Sequence, residues 1–469
     1  MKKLNELYNC AFEVNIKGIK INSKEVKEGD LFVCTKGVTV DRHDFIDEAI
    51  KNGAVALITK KDVNVLIPYI KVDDPNKELP LLCQKFYDNP LDKLKLIGIT
   101  GTDGKTTTAT IIAKLLGLDI CGYMGTNGRM CSAFNKPLTN TTPDADKLYE
   151  YLNDFVLNGC KYVAMETSSE AFYRKRLENI SFDISVITNI TEDHLNIHKT
   201  IKNYIECKSM LFKQNKGISI LNKDDQYFNE VLKSVKGKYL TYGKKDSDLQ
   251  ILDYQIFTDK TIINYLYKNN IYTVKSPLLG EYNVYNLAAA ILVLVSLDYE
   301  ITDILKRVEN IEFIVGRTEF INTKSKFKVV LDYAHTPNAL KNILQLLNNI
   351  KTNRIIAISG SAGGREKEKR KAMGEILLSE ADHVVFTMDD PRNEDVNEII
   401  NDMIQDNTSN NYTIVTNRKE AIKSAFDMAK VGDIVLVAGK GRDNYMALGN
   451  EYVPYSDYDT IIELLKDYQ

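Results

Sequence analysis

The segment Ile99-Thr100-Gly101-Thr102-Asp103-Gly104-Lys105-Thr106-Thr107-Thr108 follows an apolar run, Leu94 to Ile99, and opens a helix-compatible stretch, Ala109 to Leu116. Strand, glycines, lysine and hydroxyls in this order read as a cradle for nucleotide phosphates. Gly101 and Gly104 let backbone N–H groups approach phosphate oxygens, the following helix aims its N-terminus at them, and Lys105 adds a compact positive charge. Thr106 or Thr107 is placed to hold Mg²⁺. The common GxxxxGK[ST] pattern needs a glycine at position 99, where this chain has Ile99, so the loop is the shorter GTxGKTT form. A plain glycine turn between strand and helix is the simpler alternative.

A chain of 469 residues is too long for one ordinary core and points to about three domains. Its net charge of -3 gives no reason to expect nucleic acid or an anionic membrane as partner, so any phosphate must be held locally. Leu4 to Asn9 offers no apolar core for a signal peptide, and no run reaches membrane-spanning length. The expectation is a cytoplasmic monomer. Seven cysteines, at 10, 34, 83, 121, 131, 160 and 207, form no CxxC pair, which favours reduced, mostly buried thiols.

The fold class expected is α/β in three domains: a small α/β unit over 1–92, a central ATP-binding sheet over 93–315, and a Rossmann-like doubly wound domain over 316–469. In the first, Asp30 to Val33 and Ala54 to Thr59 read as strands around a short helix, Phe45 to Asn52, and Asn89 to Asp92 as a linker. In the second, the runs Tyr162 to Met165, Ile184 to Ile187 and Gly217 to Leu221 suit central parallel strands. Leu249 to Val274 suggests a small antiparallel meander, and Leu287 to Leu297 a buried helix. From Val329 to Val437 strands and helices alternate, which implies a parallel sheet with ligands beyond the strands' carboxyl ends.

Two such strand ends carry candidate chemistry. Glu166, in Met165-Glu166-Thr167-Ser168-Ser169-Glu170, could reach a metal at the phosphate loop, since Mg²⁺ prefers hard oxygen ligands; alone, it equally suits a helix start. His194 and His198 lie in the loop Thr188 to His198. Without sulfur ligands they do not make a structural zinc site, and capping a helix is an equal alternative.

Taken together, the motifs resemble the Mur ligase family, and within it the branch that adds the third peptide residue. They run in one order along nearly the whole chain: Ser23 through Gly29-Asp30-Leu31-Phe32-Val33, the Gly101 to Thr107 loop, Thr141-Thr142-Pro143, Glu166-Thr167-Ser168-Ser169, and Asn189 through Asp193-His194. Tyr204 with Lys208, Gly280 to Asn286, Gly316-Arg317, Asp332-Tyr333-Ala334-His335-Thr336-Pro337, Arg365, Asp389-Asp390-Pro391-Arg392 and Gly439-Lys440-Gly441 follow.

The resemblance implies an enzyme of peptidoglycan precursor synthesis. ATP and Mg²⁺ would be its cofactors, and UDP-N-acetylmuramoyl-L-alanyl-D-glutamate and a free diamino acid its partners. It implies that Gly101, Thr102, Asp103, Gly104, Lys105, Thr106 and Thr107 hold the phosphates, with Asn283 and Asn286 at the adenine. Arg317, Asp332 and His335 would reach in from the third domain. Lys105, Glu166, His194 and Lys208 would be catalytic, and Thr106, Glu166, His194 and a carbamylated Lys208 would serve the metal positions; alone, Lys208 reads as a surface helical lysine. The sugar nucleotide and its peptide would meet Ser23, Lys24, Thr141, Thr142, Ser169 and Arg176. The amino acid would meet Arg365, Asp389, Asp390, Arg392, Gly439 and Asp443.

The chain also departs from the family pattern. A DNPR sequence goes with meso-diaminopimelate, whose extra carboxylate Arg392 and Arg365 could clamp; here Asp390 replaces the asparagine and would favour an ammonium neighbour. Asp443 stands for a glutamate, Glu170 for a histidine and Asn338 for an aspartate. Diaminopimelate is expected ahead of lysine or a third diamino acid. A folate-extending relative and an ATP-binding regulator without ligase activity are the competing readings.

Overall fold

The computed structural model describes residues 1–37 and 40–468. Three sheets organise them. Gly18–Lys20, Asp30–Val33, Ala54–Thr59 and Tyr69–Lys71 form a parallel four-stranded sheet. An eleven-stranded sheet spans residues 121–136 at one edge to 270–276 at the other, with Lys95–Thr100 between Tyr162–Glu166 and Phe182–Ile187, all three parallel. The third sheet has six strands, in which Ile434–Ala438 lies between Lys328–Asp332 and Ile355–Ser359. Among the described residues no helix is long and apolar enough to cross a membrane, and all seven cysteines are unpaired thiols.

Strand alternation sets the central packing. Leu96 faces a core shared with the first sheet's Leu31, Val33 and Ile58, while Ile97 and Ile99 face a second core with the helix Lys105–Leu116. On the first face Gly98 leaves room for a close neighbour, because a Cβ there would lie 2.6 Å from Leu211 and 2.8 Å from Phe182. Leu211 belongs to the helix Ile201–Lys213, and this close approach brings Lys208 of that helix beneath the phosphate loop.

Three expectations change, and one element went unread. The linker at Asn89 to Asp92 is a short helix, Pro90–Lys93, started by Asn89 in the left-handed region with proline at its first position. The meander is no separate unit: Leu249–Ile256 pairs with Tyr239–Gly243 and extends the central sheet. The buried helix begins at Glu281 rather than Leu287, because Gly280 at φ 98 sets its entry. A hairpin, Cys121–Gly125 with Gly128–Cys131, went unread because its glycines interrupt any apolar run.

Candidate active site

The phosphate loop is shaped by contacts a larger residue would destroy. Gly101 has φ 145, and a Cβ there would lie 1.8 Å from Thr188 Oγ1; Gly104 has φ 84, and its Cβ would meet Asn286 Oδ1 at 2.6 Å. Asp103 is held by its backbone, its N–H donating to Asn189 Oδ1 and its carbonyl accepting from Thr188 Oγ1 and Asn189 Nδ2. The loop therefore stands ready before any ligand arrives. The helix Lys105–Leu116 starts on Gly104 with no side-chain cap, which leaves its first N–H groups for an anion.

One hydroxyl joins three segments. Thr106 Oγ1 donates to Glu166 Oε2 at 3.0 Å and accepts from Arg317 at 3.1 Å. Glu166 is fully buried and is oriented by the Tyr123 hydroxyl at 2.7 Å, the Thr126 N–H at 2.8 Å and the Thr126 hydroxyl at 3.2 Å. This donor set, a hydroxyl and a carboxylate meeting beside the loop, fits Mg²⁺. Arg317 Nε is buried without a protein partner among the described residues, which suits a guanidinium awaiting a phosphate oxygen.

Two lysines share one acceptor, Lys208 fully buried and Lys105 half-buried. Lys105 Nζ donates to the Gly101 carbonyl at 2.9 Å and to Thr102 O at 2.8 Å, and Lys208 Nζ donates to the same Gly101 carbonyl at 2.6 Å. Two ammonium groups so placed repel each other in a dry site. Burial, then the charge of Lys105, holds Lys208 well below the ordinary lysine range, and burial lowers Lys105 as well. The Lys208 ammonium also lies 4.3 Å over the Tyr204 ring, whose hydroxyl meets Thr102 Oγ1.

His194 takes a left-handed backbone at φ 56, and burial together with the charges of Lys208 and Lys105, against Asp193, holds its imidazole down to about 4. It is therefore neutral at pH 7 and free to ligate. Asp193, His194 and Glu366 each place one donor atom within 4.8 Å of the others. His198 does not join them: its Nε2 lies 3.0 Å from Ser169 Oγ, beneath Tyr204.

A cavity of about 570 Å³ opens from the loop and is lined by Asp103, Gly104, Thr107, Asn286, Arg317 and Asp332, among others. Asn286 accepts from Thr108 and donates to Asn283, so Asn283 supports the wall rather than lining it. Asp332 accepts from the N–H groups of Thr318 and Ala334, and burial pushes its carboxyl up against the pull of Arg317. His335 is exposed, with Nδ1 on the Tyr333 carbonyl, and is not among the residues that line this cavity. The turn that carries it packs on the loop through Thr336, whose hydroxyl accepts from the Ala339 N–H at the start of the next helix and faces Asp103.

A second cleft, of about 710 Å³, runs between the first and central domains and is lined by Ser23, Lys24, Arg42, Asp144 and Lys147, among others. Ser23 bonds Glu48, and Arg176 pairs with Asp144 at 2.9 Å while donating to Thr142 O. Beside this lining, Thr141 Oγ1 meets Thr126, and the fully buried Thr142 donates its hydroxyl to the Glu166 carbonyl. Arg176 and Thr142 thus tie the cleft's Asp144 edge to Glu166 by hydrogen bonds. Glu170, in place of the family histidine, pairs with Arg174 at 2.6 Å.

In the third domain Asp390 does not face an incoming ammonium. Its carboxylate is buried, accepting from Lys440 Nζ at 2.8 Å and from the Ala447 N–H at 2.9 Å, so the ammonium it favours is the protein's own. Asp443 lies 3.5 Å from Lys440, and Gly439, at φ 115, makes way for Asp389, whose Oδ2 a Cβ would meet at 2.2 Å. Arg392 donates to Gly363 O at 2.6 Å, and Arg365 is exposed on another cavity with Asp193 and Glu366. Asp390→Asn leaves the buried Lys440 without its hydrogen-bonded carboxylate, though Asp389 and Asp443 remain nearby. It is expected to cost about 2–3 kcal/mol, below the usual range for halving a buried pair because Asp389 and Asp443 remain, read as a fall in the urea midpoint.

Sequence reading missed Tyr123 and Thr126, which orient Glu166, and Glu366 and Lys369, which reach Asp193 from the third domain. Only folding brings them there, so no local signal marked them. The Asp-His pair at 193 and 194 could have flagged Asp193.

Residues 15–87 match the Mur ligase family catalytic domain, 99–294 the Mur ligase middle domain, and 316–441 the Mur ligase glutamate ligase domain. Over 470 aligned positions the chain is 37% identical to UDP-N-acetylmuramoyl-L-alanyl-D-glutamate–2,6-diaminopimelate ligase 1 of Clostridium acetobutylicum, covering 98% of this chain and 97% of that one. It is 36% identical to the 2,6-diaminopimelate ligase of Aquifex aeolicus, covering 96% and 94%. A solved structure of a 2,6-diaminopimelate ligase of this kind superposes with a TM-score of 0.68 at 28% identity, covering 100% and 99%. The MurF ligase of Thermotoga maritima in complex with ADP shares the fold, with a TM-score of 0.70 at 23% identity, covering 96% and 97%.

Proposed function

The chain belongs to the Mur ligase family, and from that premise we propose that it joins 2,6-diaminopimelate to UDP-N-acetylmuramoyl-L-alanyl-D-glutamate, cleaving ATP to ADP and phosphate. The observation that carries this reading is the joint at Thr106, where the phosphate loop, buried Glu166 and third-domain Arg317 meet at one hydroxyl. Such a joint suits a reaction in which a nucleotide on the central domain is met by groups carried on the third.

A carboxylate is a poor electrophile, so the acceptor's glutamyl carboxylate first attacks the γ-phosphate, giving an acyl phosphate and ADP. The amine of the amino acid then displaces orthophosphate through a tetrahedral intermediate. In the first step two anions meet, and Lys105 with Arg317 offsets their repulsion in a water-poor site. Mg²⁺, held by Thr106 and Glu166 with His194 and a carbamylated Lys208 at a second position, would supply further charge compensation on the phosphates. Ser23, Lys24 and Arg176 serve the sugar nucleotide along the first cleft. Asp389, Asp443, Arg365 and Arg392 serve the amino acid. Because Asp390 is neutralised by Lys440, the extra carboxylate of diaminopimelate meets no uncompensated aspartate there.

Phosphate release from ATP, measured with the muramoyl dipeptide nucleotide and diaminopimelate, lysine, ornithine or no amino acid, tests this. Release with diaminopimelate is expected. Release with lysine alone would overturn the specificity, and release with none of them the ligase reading.

A further inference from the structure

Asp103 sits inside the phosphate loop, a surprising place for a negative charge. Its backbone is fastened to the central domain through Thr188 and Asn189, yet its carboxylate finds partners only in the third domain among the described residues. Asn338 Nδ2 donates to Oδ2 at 2.9 Å, and the Thr336 hydroxyl faces Oδ1 at 3.4 Å. Both belong to the start of the helix Pro337–Ile350, where positive dipole ends also favour a carboxylate. This contact gives a reason for Asn338: an aspartate there would set two carboxylates face to face. The amide therefore matches the loop's own charge.

We propose that Asp103 and Asn338 form a charge-matched latch that closes the third domain over the phosphate loop and couples closure to nucleotide binding. In the closed arrangement the amide and the helix start screen Asp103. When the third domain swings away, the bare carboxylate faces whatever anion the loop holds and weakens its grip. Closure therefore strengthens the hold on phosphate, and by linkage a bound nucleotide favours closure. Asp103 and Asn338 are positioning residues, since neither is asked to touch the reacting atoms. The kinetic part of this inference rests on the ligase reading; the structural part does not.

The test uses the full chain and four variants, Asn338→Asp, Asn338→Ala, Asp103→Asn and the exchange Asp103→Asn with Asn338→Asp. Small-angle X-ray scattering with saturating ADP reads closure, and phosphate release reads kcat and KM for ATP. Asn338→Asp is expected to enlarge the radius of gyration with ADP bound and to lower kcat/KM for ATP at least tenfold, by placing like charges in contact. Asn338→Ala should fall between it and the parent, and the exchange should recover to within about threefold of the parent, as coupled neighbours do. Closure of Asn338→Asp equal to the parent's, or an exchange no better than Asn338→Asp alone, would overturn the latch. Altered scattering with no ligation by any variant or by the parent would sustain the latch and sink the ligase reading.

Discussion

Lys105→Ala is expected to lower phosphate release by at least about a thousandfold, the upper range for losing one preorganised donor to a developing charge, while the protein stays folded. The side chain is half-buried and folds back onto the carbonyls of Gly101 and Thr102, within reach of any phosphate entering the loop. Removing it leaves Arg317 as the remaining cation at the Thr106 joint. Arginine should not rescue it, because a planar fork cannot occupy the space of a compact ammonium between Gly101 and Thr102. Stability should hold or rise, since the charge that burial disfavours is gone. Phosphate release and a thermal melt on the same sample check both halves. Retention of more than a tenth of the activity would contradict the role given to this lysine.

The second large effect concerns Lys208. Two ammonium groups cannot comfortably share the Gly101 carbonyl, and the depressed pKa of Lys208 leaves more of its amine neutral than an ordinary lysine's at the same pH. A neutral amine attacks CO₂, forms a carbamate and loses a proton, which converts a repelled cation into an anion beside Lys105. Lys208→Ala is therefore expected to cost at least about a hundredfold in turnover, with partial recovery on adding a short carboxylic acid. As pH falls, protonation of the amine competes with the carbamate. Activity should drop on the acid side, and added bicarbonate should oppose the drop. Native mass measurement should find one added CO₂ on the parent and none on the variant. An unmodified parent with full activity would contradict the assignment.

The loop, its strand and its helix were legible because they rest on local rules: an apolar run, glycines at set offsets and a helix start. The alternation after Val329 was readable for the same reason. Lys208 was not legible from its own segment, where a lysine on an amphipathic helix looks solvated; only Gly98, on a distant strand, lets that helix sink far enough to bury it. Asp390 was misread in its consequence, because its partner Lys440 is fifty residues away. His335 was placed in the nucleotide site by its motif, and its ring is exposed, with Nδ1 on the Tyr333 carbonyl. The Asn338 departure gained a reason only once Asp103 was seen across the domain boundary.

The central claim is that phosphate is transferred to the acceptor's carboxylate before nitrogen attacks it. Acceptor carrying ¹⁸O in its glutamyl carboxylate, turned over with ATP and diaminopimelate, tests this most directly. One labelled oxygen should appear in the orthophosphate released. Orthophosphate free of label alongside a formed amide bond would contradict the account.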